Sequence, residues 1–193
     1  MKAFGPARGP GKAVLLFLAF LAGFAADFLT KRWAQARLAA GPSIEIIPGF
    51  FELRYVENSA VAFSLLHSLP AGAREAVIYT FNGAAILGLL ALLRHWWGKG
   101  PAGLLPLVAI LSGAIGNLYD RLTYGHVIDF FHLHYRWRWS WPIFNVADLL
   151  ICLGVGLLLV LNRGELQREV RRDDEPRGGG EARRPAPGGD RAP

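Results

Sequence analysis

Four long apolar segments constrain this chain more than any other feature of its sequence. They cover residues 13–38, 73–97, about 102–122 and about 142–162. A helix of about 20 residues, rising about 1.5 Å per residue, crosses the ~30 Å hydrocarbon core of a bilayer. Within that core only helices and closed barrels satisfy their own backbone hydrogen bonds. The sequence therefore predicts an all-α membrane protein built as a four-helix transmembrane bundle.

The segment of about 43–64, between the first two spans, has a different periodicity. Apolar residues alternate with other residues from Ile44 to Tyr55, and Pro48-Gly49 interrupts the alternation as a turn. Open strand edges cannot face lipid. We therefore expect a small extracytoplasmic β element here, outside the bilayer core. The 122–141 stretch is interpreted as an aromatic and basic loop on the same side.

The distribution of charge predicts how the chain is arranged across the membrane. The formal net charge is +6, but the basic residues lie at the ends of the apolar spans and in the tail, as topology requires. A nucleic-acid partner is therefore not expected. We predict a cytoplasmic N-terminal segment (1–12), a membrane domain (13–163) and a cytoplasmic tail (164–193). The tail is too polar to bury a core and is expected to be disordered.

Polar residues on the third and fourth spans are spaced so that they share helix faces. Gly113, Asn117 and Arg121 are four residues apart, and Asn145 and Asp148 are three apart. The glycine allows another backbone to approach. An ionisable residue within an apolar span, such as Asp148, indicates a functional site. We expect these residues to converge on one pocket near the outer membrane surface.

Asp129, in the loop that joins these two spans, adds a second carboxylate to that pocket. Two carboxylates at close range share a proton and titrate as a coupled pair. The charged member takes a proton from water, and the protonated member donates to the amide oxygen and then to the leaving nitrogen. This is aspartyl peptidase chemistry, which needs no metal and no other cofactor. Asp120, a third carboxylate nearby, is assigned to structure or to the membrane interface.

The same stretch leaves two other chemistries open. Asp129, His132 and His134 carry zinc-ligand types, although an aromatic membrane interface around the histidines favours surface positions. Intramembrane Asp and Arg can also form an ion relay. Transporters, however, place such charges near the midplane and usually contain repeats. The single cysteine, Cys152, lies in an apolar span, where packing is favoured over thiol catalysis.

The first span carries Asp27 and Lys31, an acid and a base four residues apart on one helix face. This spacing predicts an ion pair. We interpret it as an interfacial pair in which the Lys31 side chain extends toward the membrane surface.

Four motifs follow one another along the chain: DFLTK (27–31), ENSAVAFS (57–64), GAIGNLYDRLTYGHVIDF (113–130) and FNVAD (144–148). Together they resemble the motifs of bacterial lipoprotein signal peptidase, also called signal peptidase II, a membrane aspartyl peptidase. The resemblance covers residues 13 to about 162. Ala60 and Val61 depart from it, because the family usually has Gly and Ala there.

The resemblance implies a role for each of the polar residues noted above. It implies that the catalytic pair is Asp129 and Asp148. It implies a substrate site lined by Asn58, Asn117, Arg121 and Asn145, with support from Asp27, Lys31 and Gly113. The implied substrate is a prolipoprotein whose signal peptide precedes a diacylglyceryl-modified cysteine. The enzyme would be a monomer in the bacterial cytoplasmic (inner) membrane, in contact with its lipids, with both termini cytoplasmic and the active site near the extracytoplasmic face.

Overall fold

The computed structural model describes residues 10–59, 70–136 and 138–174. Its helices are α1 (Pro10–Leu38), α2 (Ala71–His95), α3 (Pro101–Tyr124) and α4 (Val146–Asp174). Its strands are β1 (Ile44–Ile47), β2 (Phe51–Asn58), β3 (Val127–Tyr135) and β4 (Trp139–Ser140). The chain divides into two units, Met1–Leu161 and Asn162–Pro193. The first unit contains every residue discussed below except those of the tail.

Three helices in the described part of the chain are long and apolar enough to cross a membrane. They are Pro10–Leu38, Gly72–His95 and Pro101–Tyr124. The apolar part of α4, Val146–Leu161, is shorter. The fourth span was predicted to start at about 142, but residues 142–145 precede the helix, and Phe144 bridges to Phe131 of β3. Three apolar spans are therefore found, and the fourth crossing remains a prediction.

Large apolar side chains cover the outside of the helices. Phe17 on α1, Phe81 and Leu87 on α2, and Leu153 on α4 are each at least 59% exposed. A soluble protein rarely exposes so many large apolar side chains together. Acyl chains can cover this surface at no cost in hydration. The exposed faces therefore fit a helix bundle surrounded by lipid.

The predicted β element is present, but it is larger than expected. The four strands form one antiparallel sheet in the order β1-β2-β3-β4. The turn at Pro48-Gly49 joins β1 to β2, and Gly49 adopts a left-handed φ of +69° that glycine accepts without strain. Residues 60–64, including Ala60 and Val61, lie outside the described residues.

The interpretation of 122–141 as a loop was wrong for its central part, since β3 occupies Val127–Tyr135. Its aromatic and β-branched residues suit a strand as well as they suit a membrane interface. The hydrogen-bonded pairing with β2 makes this segment a strand rather than an interfacial loop. A bulge in β2 places Leu53 opposite Phe131 and Val56 opposite Asp129. The sheet thereby holds Asp129 on a paired, buried backbone.

Small residues let α3 pack closely against the helices on either side of it. A Cβ atom at Gly113 would overlap the carbonyl oxygen of Ala147 in α4, and one at Gly116 would overlap the carboxylate of Asp27 in α1. Close approach at small residues is a common way for membrane helices to associate. As the sequence predicted, Gly113 allows another backbone to approach α3.

A separate apolar cluster fills the other end of this helix packing. It consists of Leu16, Leu104, Leu107 and Val108, with partly buried residues such as Phe20 and Leu158 against it. Leu104 and Leu107 have no exposed surface. Side chains from all four helices meet in this apolar cluster, since Leu89 and Leu93 of α2 also pack against it. Other side chains of α1, α3 and the α4 region meet in the site described next.

The tail was expected to be disordered from residue 164. The backbone remains helical to Asp174, and residues 175–193 lie outside the described residues. The composition argued against a packed core in the tail. It did not argue against a helix, because Glu, Gln, Leu and Arg are good helix formers.

Candidate active site

The start of α4 fixes Asn145 and Asp148 relative to each other. The Asp148 backbone N–H donates to Asn145 Oδ1 (3.0 Å), and the Asn145 backbone N–H donates to Asp148 Oδ2 (3.2 Å). This is a reciprocal capping arrangement, with Asn145 as the N-cap and the acid three residues later. Their spacing thus has a local structural cause. The helix N-terminus also stabilises negative charge on Asp148.

A residue of the first helix satisfies another donor at the start of α4. The Ala147 backbone N–H donates to Asp27 Oδ1 at 2.8 Å. The first N–H groups of a helix have no partner within it. Asp27 therefore joins α1 to α4, next to the turn that carries Asp148.

Lys31 lies at the centre of a buried ion network. Its Nζ lies 2.8 Å from Asp27 Oδ2, 3.0 Å from Asp120 Oδ2 and 2.9 Å from Asn117 Oδ1. The predicted pair with Asp27 is present, but its interpretation as interfacial was wrong, since both side chains are 1% exposed. Two carboxylates and an amide oxygen compensate the ammonium group for lost hydration, and so it can remain buried.

Asp120 is the member of this network whose partners the sequence analysis missed. Besides binding Lys31, its carboxylate accepts a hydrogen bond from the Ile128 backbone N–H at 3.1 Å. It therefore ties α3 to β3 beside Asp129. A signal was available in the sequence, because Asp120 follows Asn117 by three residues and shares its helix face.

Asn117 and Asn145 connect the two carboxylates predicted to be catalytic. Asn145 Nδ2 lies 2.6 Å from Asp129 Oδ1 and 3.1 Å from Asn117 Oδ1. Asn117 Nδ2 donates to Asp148 Oδ1 at 2.8 Å. The structure thus brings these four residues together on β3, α3 and α4. We call this group, with Asp27, Lys31 and Asp120, the polar junction.

Asp129 and Asp148 occupy different environments within the polar junction. Asp129 is 2% exposed, whereas Asp148 is half-buried at a helix N-terminus. Burial raises the pKa of Asp129 to about 6, and the nearby charge of Asp148 adds to this shift. Hydrogen bonds from Asn58 Nδ2 (2.8 Å) and Asn145 oppose the shift because they favour the ionised form. Asp129 is thus the carboxyl that holds a proton more tightly than usual.

Arg121 lies one turn beyond Asn117 on α3. Its guanidinium donates to the Asn117 backbone oxygen at 3.2 Å, and its own backbone oxygen accepts from the Tyr79 hydroxyl at 3.1 Å. Its positive charge interacts with both Asp148 and Asp129. Arg121 therefore adds positive charge beside the pair.

The structure does not support the zinc alternative in the form that includes Asp129. Successive side chains of a strand point to opposite faces, so His132 and His134 lie on the face of β3 opposite to Asp129. Glu52 of β2 is grouped with the two histidines instead. Both histidines are also buried, at 4% and 0% exposure, rather than at the surface.

Residues 19–162 match the family described as signal peptidase (SPase) II. The chain belongs to the signal peptidase II family. The resemblance drawn from the four motifs is therefore confirmed. Membership in signal peptidase II, together with the three apolar helices, makes the chain an integral bacterial membrane protein and a peptidase.

Individual relatives agree with this assignment to signal peptidase II. The lipoprotein signal peptidase of Pseudoalteromonas translucida is 42% identical over 138 residues, which cover 69% of this chain and 78% of that protein. That of Shewanella woodyi is 38% identical over 142 residues, covering 71% and 76%.

Solved structures share the fold. A bacterial membrane enzyme solved by the in meso method at 2.3 Å resolution has a TM-score of 0.64 at 21% identity, covering 92% of this chain and all of that one. A second such structure, at 1.9 Å resolution, has a TM-score of 0.66 at 21% identity, covering 82% and 97%.

Proposed function

We propose that this signal peptidase II is a membrane-embedded aspartyl endopeptidase. It removes the signal peptide from prolipoproteins that carry a diacylglyceryl-modified cysteine. One observation carries the proposal: Asn145 bonds Asp129 through its side-chain nitrogen and Asp148 through its side-chain oxygen and backbone N–H. A single residue thereby connects two carboxylates, one from a strand and one from a helix.

The two environments suggest different roles for the two acids. Asp148 acts ionised, because a helix N-terminus favours negative charge. It takes a proton from water as the water oxygen attacks the scissile carbonyl carbon. Asp129, whose pKa is raised to about 6, acts protonated and donates to the carbonyl oxygen. A tetrahedral diol forms on the substrate, and no bond to the enzyme is needed.

Collapse of the diol returns both protons. Asp148 gives its proton to the leaving nitrogen, and Asp129 takes one back from the diol hydroxyl as the carbon–nitrogen bond breaks. The acids end in their starting protonation states. Asn58, Asn117, Arg121 and Asn145 line the substrate site, and Arg121 binds a carbonyl oxygen of the substrate or an oxygen of the lipid headgroup.

The relatives' name, lipoprotein signal peptidase, supports the class of substrate. The apolar outer faces of the helices support a substrate whose acyl chains and signal helix remain in the bilayer. We further propose four spans with both termini in the cytoplasm, the active site near the extracytoplasmic face and a monomeric enzyme. No cofactor takes part in the proposed reaction.

The proposal is tested with purified enzyme and two forms of one prolipoprotein, with and without the diacylglyceryl group on its cysteine. We expect cleavage immediately before the modified cysteine and at least a hundredfold slower cleavage of the unmodified form. Equal rates on both forms would contradict the substrate assignment. Activity that persists when both aspartates are replaced by asparagine would contradict the mechanism.

The proposed topology is tested by labelling intact cells with a membrane-impermeant thiol reagent. With Cys152 replaced, single cysteines are introduced at Ser140 and at Glu165. We expect labelling from outside at 140 and protection at 165. Labelling at 165 from outside would contradict the four-span arrangement.

A further inference from the structure

Glu52, His132 and His134 form a second polar cluster, which the proposed peptidase reaction does not use. Each offers one ligand atom, and these atoms all lie within 4.8 Å of one another. All three residues are buried, with exposures of 3%, 4% and 0%. We propose that these three side chains bind a divalent transition-metal ion of the zinc type, which links β2 to β3.

The sheet register explains why the three side chains meet. Glu52 is directly opposite His132 in the antiparallel β2–β3 pair. His134 is two residues further along β3, so it lies on the same face as His132. Their rings stack, with centroids 5.0 Å apart. The site is therefore built on paired backbone, which holds metal ligands more firmly than a loop does.

The donor set favours a zinc-type ion over calcium or magnesium. Two imidazoles and one carboxylate form a known three-ligand zinc set that leaves one position for water. Calcium and magnesium instead require oxygen ligands. Tetrahedral coordination at about 2.1 Å places ligand atoms about 3.4 Å apart, so only small side-chain movements are needed here.

Hydrogen bonds around the cluster already orient two of the ligands. Ser43 Oγ donates to Glu52 Oε2 at 3.0 Å, which leaves Oε1 directed at His132 Nδ1, 2.8 Å away. His132 Nε2 lies 2.8 Å from Ser140 Oγ, and that hydroxyl donates to the Trp141 backbone oxygen at 3.4 Å. When Nε2–H donates to Ser140, Nδ1 presents a lone pair toward the carboxylate. A cation is the natural partner for two such atoms, and hydrogen-bonded outer partners are typical of metal ligands.

The site is separate from the peptidase pair but connected to it through one strand. His132 and Asp129 are three residues apart on β3, on opposite faces. A metal at Glu52 and the histidines would hold β3 against β2. It would thereby stabilise the segment that carries Asp129 without contacting the reacting atoms.

The test uses full-length protein in detergent, purified with a tag that lacks histidine. Bound metal is removed from the protein with a chelator, and the chelator is then removed. The protein is titrated with Zn²⁺ by calorimetry, and its metal content is measured by mass spectrometry. We expect one zinc per chain and a higher unfolding temperature with zinc. His134→Gln and Glu52→Gln should each weaken binding by more than about a hundredfold, since loss of an outer partner alone costs about 10–100-fold.

Two further variants make the test specific. His126→Gln removes a histidine outside the cluster and should bind zinc like the unmodified protein. Ser43→Ala keeps all three ligands and should bind about tenfold or more weakly; it replaces the ligand variants if these fail to fold. Absence of saturable zinc binding by the unmodified protein would overturn the proposal. So would undiminished binding in His134→Gln, Glu52→Gln and Ser43→Ala, which would show adventitious metal.

Discussion

The apolar cluster and the polar junction both include side chains from α1, α3 and the α4 region, with α2 added in the first and β3 in the second, but they are held together differently. α1 contributes Leu16 to the first and Asp27 to the second, and α3 contributes Leu107 and Asn117. Packing in the apolar cluster is non-directional, so it depends on volume and tolerates similar shapes. Each contact in the polar junction requires one donor and one acceptor, and removing either leaves a buried group unsatisfied. The stability of the apolar cluster therefore depends on the shape and volume of its side chains. The stability of the polar junction depends on which donor and acceptor groups are present.

The largest expected effect concerns the two acids of the polar junction. Asp129→Asn and Asp148→Asn preserve shape but remove proton transfer. We expect each to reduce cleavage of the lipidated substrate by at least about 10³-fold. The double variant should be scarcely slower than either single variant, because the acids act as a unit. Single-turnover rates on purified protein provide the measurement.

Asp120→Asn is the matched control for this prediction. It changes a buried carboxylate of the same polar junction that binds Lys31 and the Ile128 N–H rather than the proposed water site. We expect it to retain substantial turnover and to lose stability. Loss of turnover in Asp120→Asn, with near-normal turnover in Asp129→Asn, would contradict the assignment of Asp129 and Asp148 as the catalytic pair.

The next largest effect is expected at the centre of the ion network. Lys31→Met leaves the carboxylates of Asp27 and Asp120 buried without their cation, which should cost about 3–5 kcal/mol of unfolding free energy. Arg37→Met, at an exposed position of the same helix, should change it by no more than about 0.5 kcal/mol. Denaturation in mixed micelles measures both. Equal stability of the two variants would mean that the network contributes nothing to the fold.

A smaller effect is expected in the apolar cluster. Leu107→Ala removes a fully buried side chain and should cost about 2 kcal/mol. This is the lower end of the range for buried leucine, because lipid lacks the hydrophobic driving force of water. Cleavage per folded molecule should be unchanged. Leu157→Ala, at a half-exposed position of α4, should be nearly neutral. Reduced turnover by correctly folded Leu107→Ala would show that catalysis in the polar junction depends on packing in the apolar cluster.

The smallest expected effect is a shift in pH dependence. The proposed acid, Asp129, works protonated, so cleavage should fall as the pH rises through its pKa of about 6. The Asn58 hydrogen bond favours the ionised form and lowers that pKa. Asn58→Ala should therefore move the alkaline limb of kcat/KM upward by about one pH unit. Glu57→Gln, at the adjacent exposed position, should leave the limb in place. An upward shift of the acidic limb in Asn58→Ala, with the alkaline limb unchanged, would show that Asp129 is the base and would reverse the assigned roles of the two acids.

The features that could be predicted from the sequence are those set by local periodicity. The apolar runs located α1, α2 and α3 to within about three residues, and the Pro48-Gly49 turn located the β1–β2 hairpin. Four-residue spacing correctly placed Gly113 and Asn117 on one face of α3. Asn145 and Asp148 were also placed together, although the capping that joins them was not foreseen.

The features that were missed depend on partners distant in the chain. β3 could not be distinguished from an interfacial loop without its pairing to β2, because aromatic residues suit both. The burial of Lys31 depends on Asp120, nearly ninety residues later in the chain. The grouping of Glu52 with His132 depends on strand register, which the alternation within either strand does not specify.

The hydrogen bond from Ala147 to Asp27 joins residues that are 120 positions apart, and this separation has a consequence for biosynthesis. A ribosome releases α1 long before it has made α4. During that interval Lys31, on the same helix, can accompany the Asp27 carboxylate. Asp27 receives its second partner only when the last helix docks. A nascent chain that stops before Val146 also lacks Asp148. Such a chain cannot hold both of the proposed catalytic acids, so under the proposed mechanism peptide cleavage requires that the start of α4 has been made.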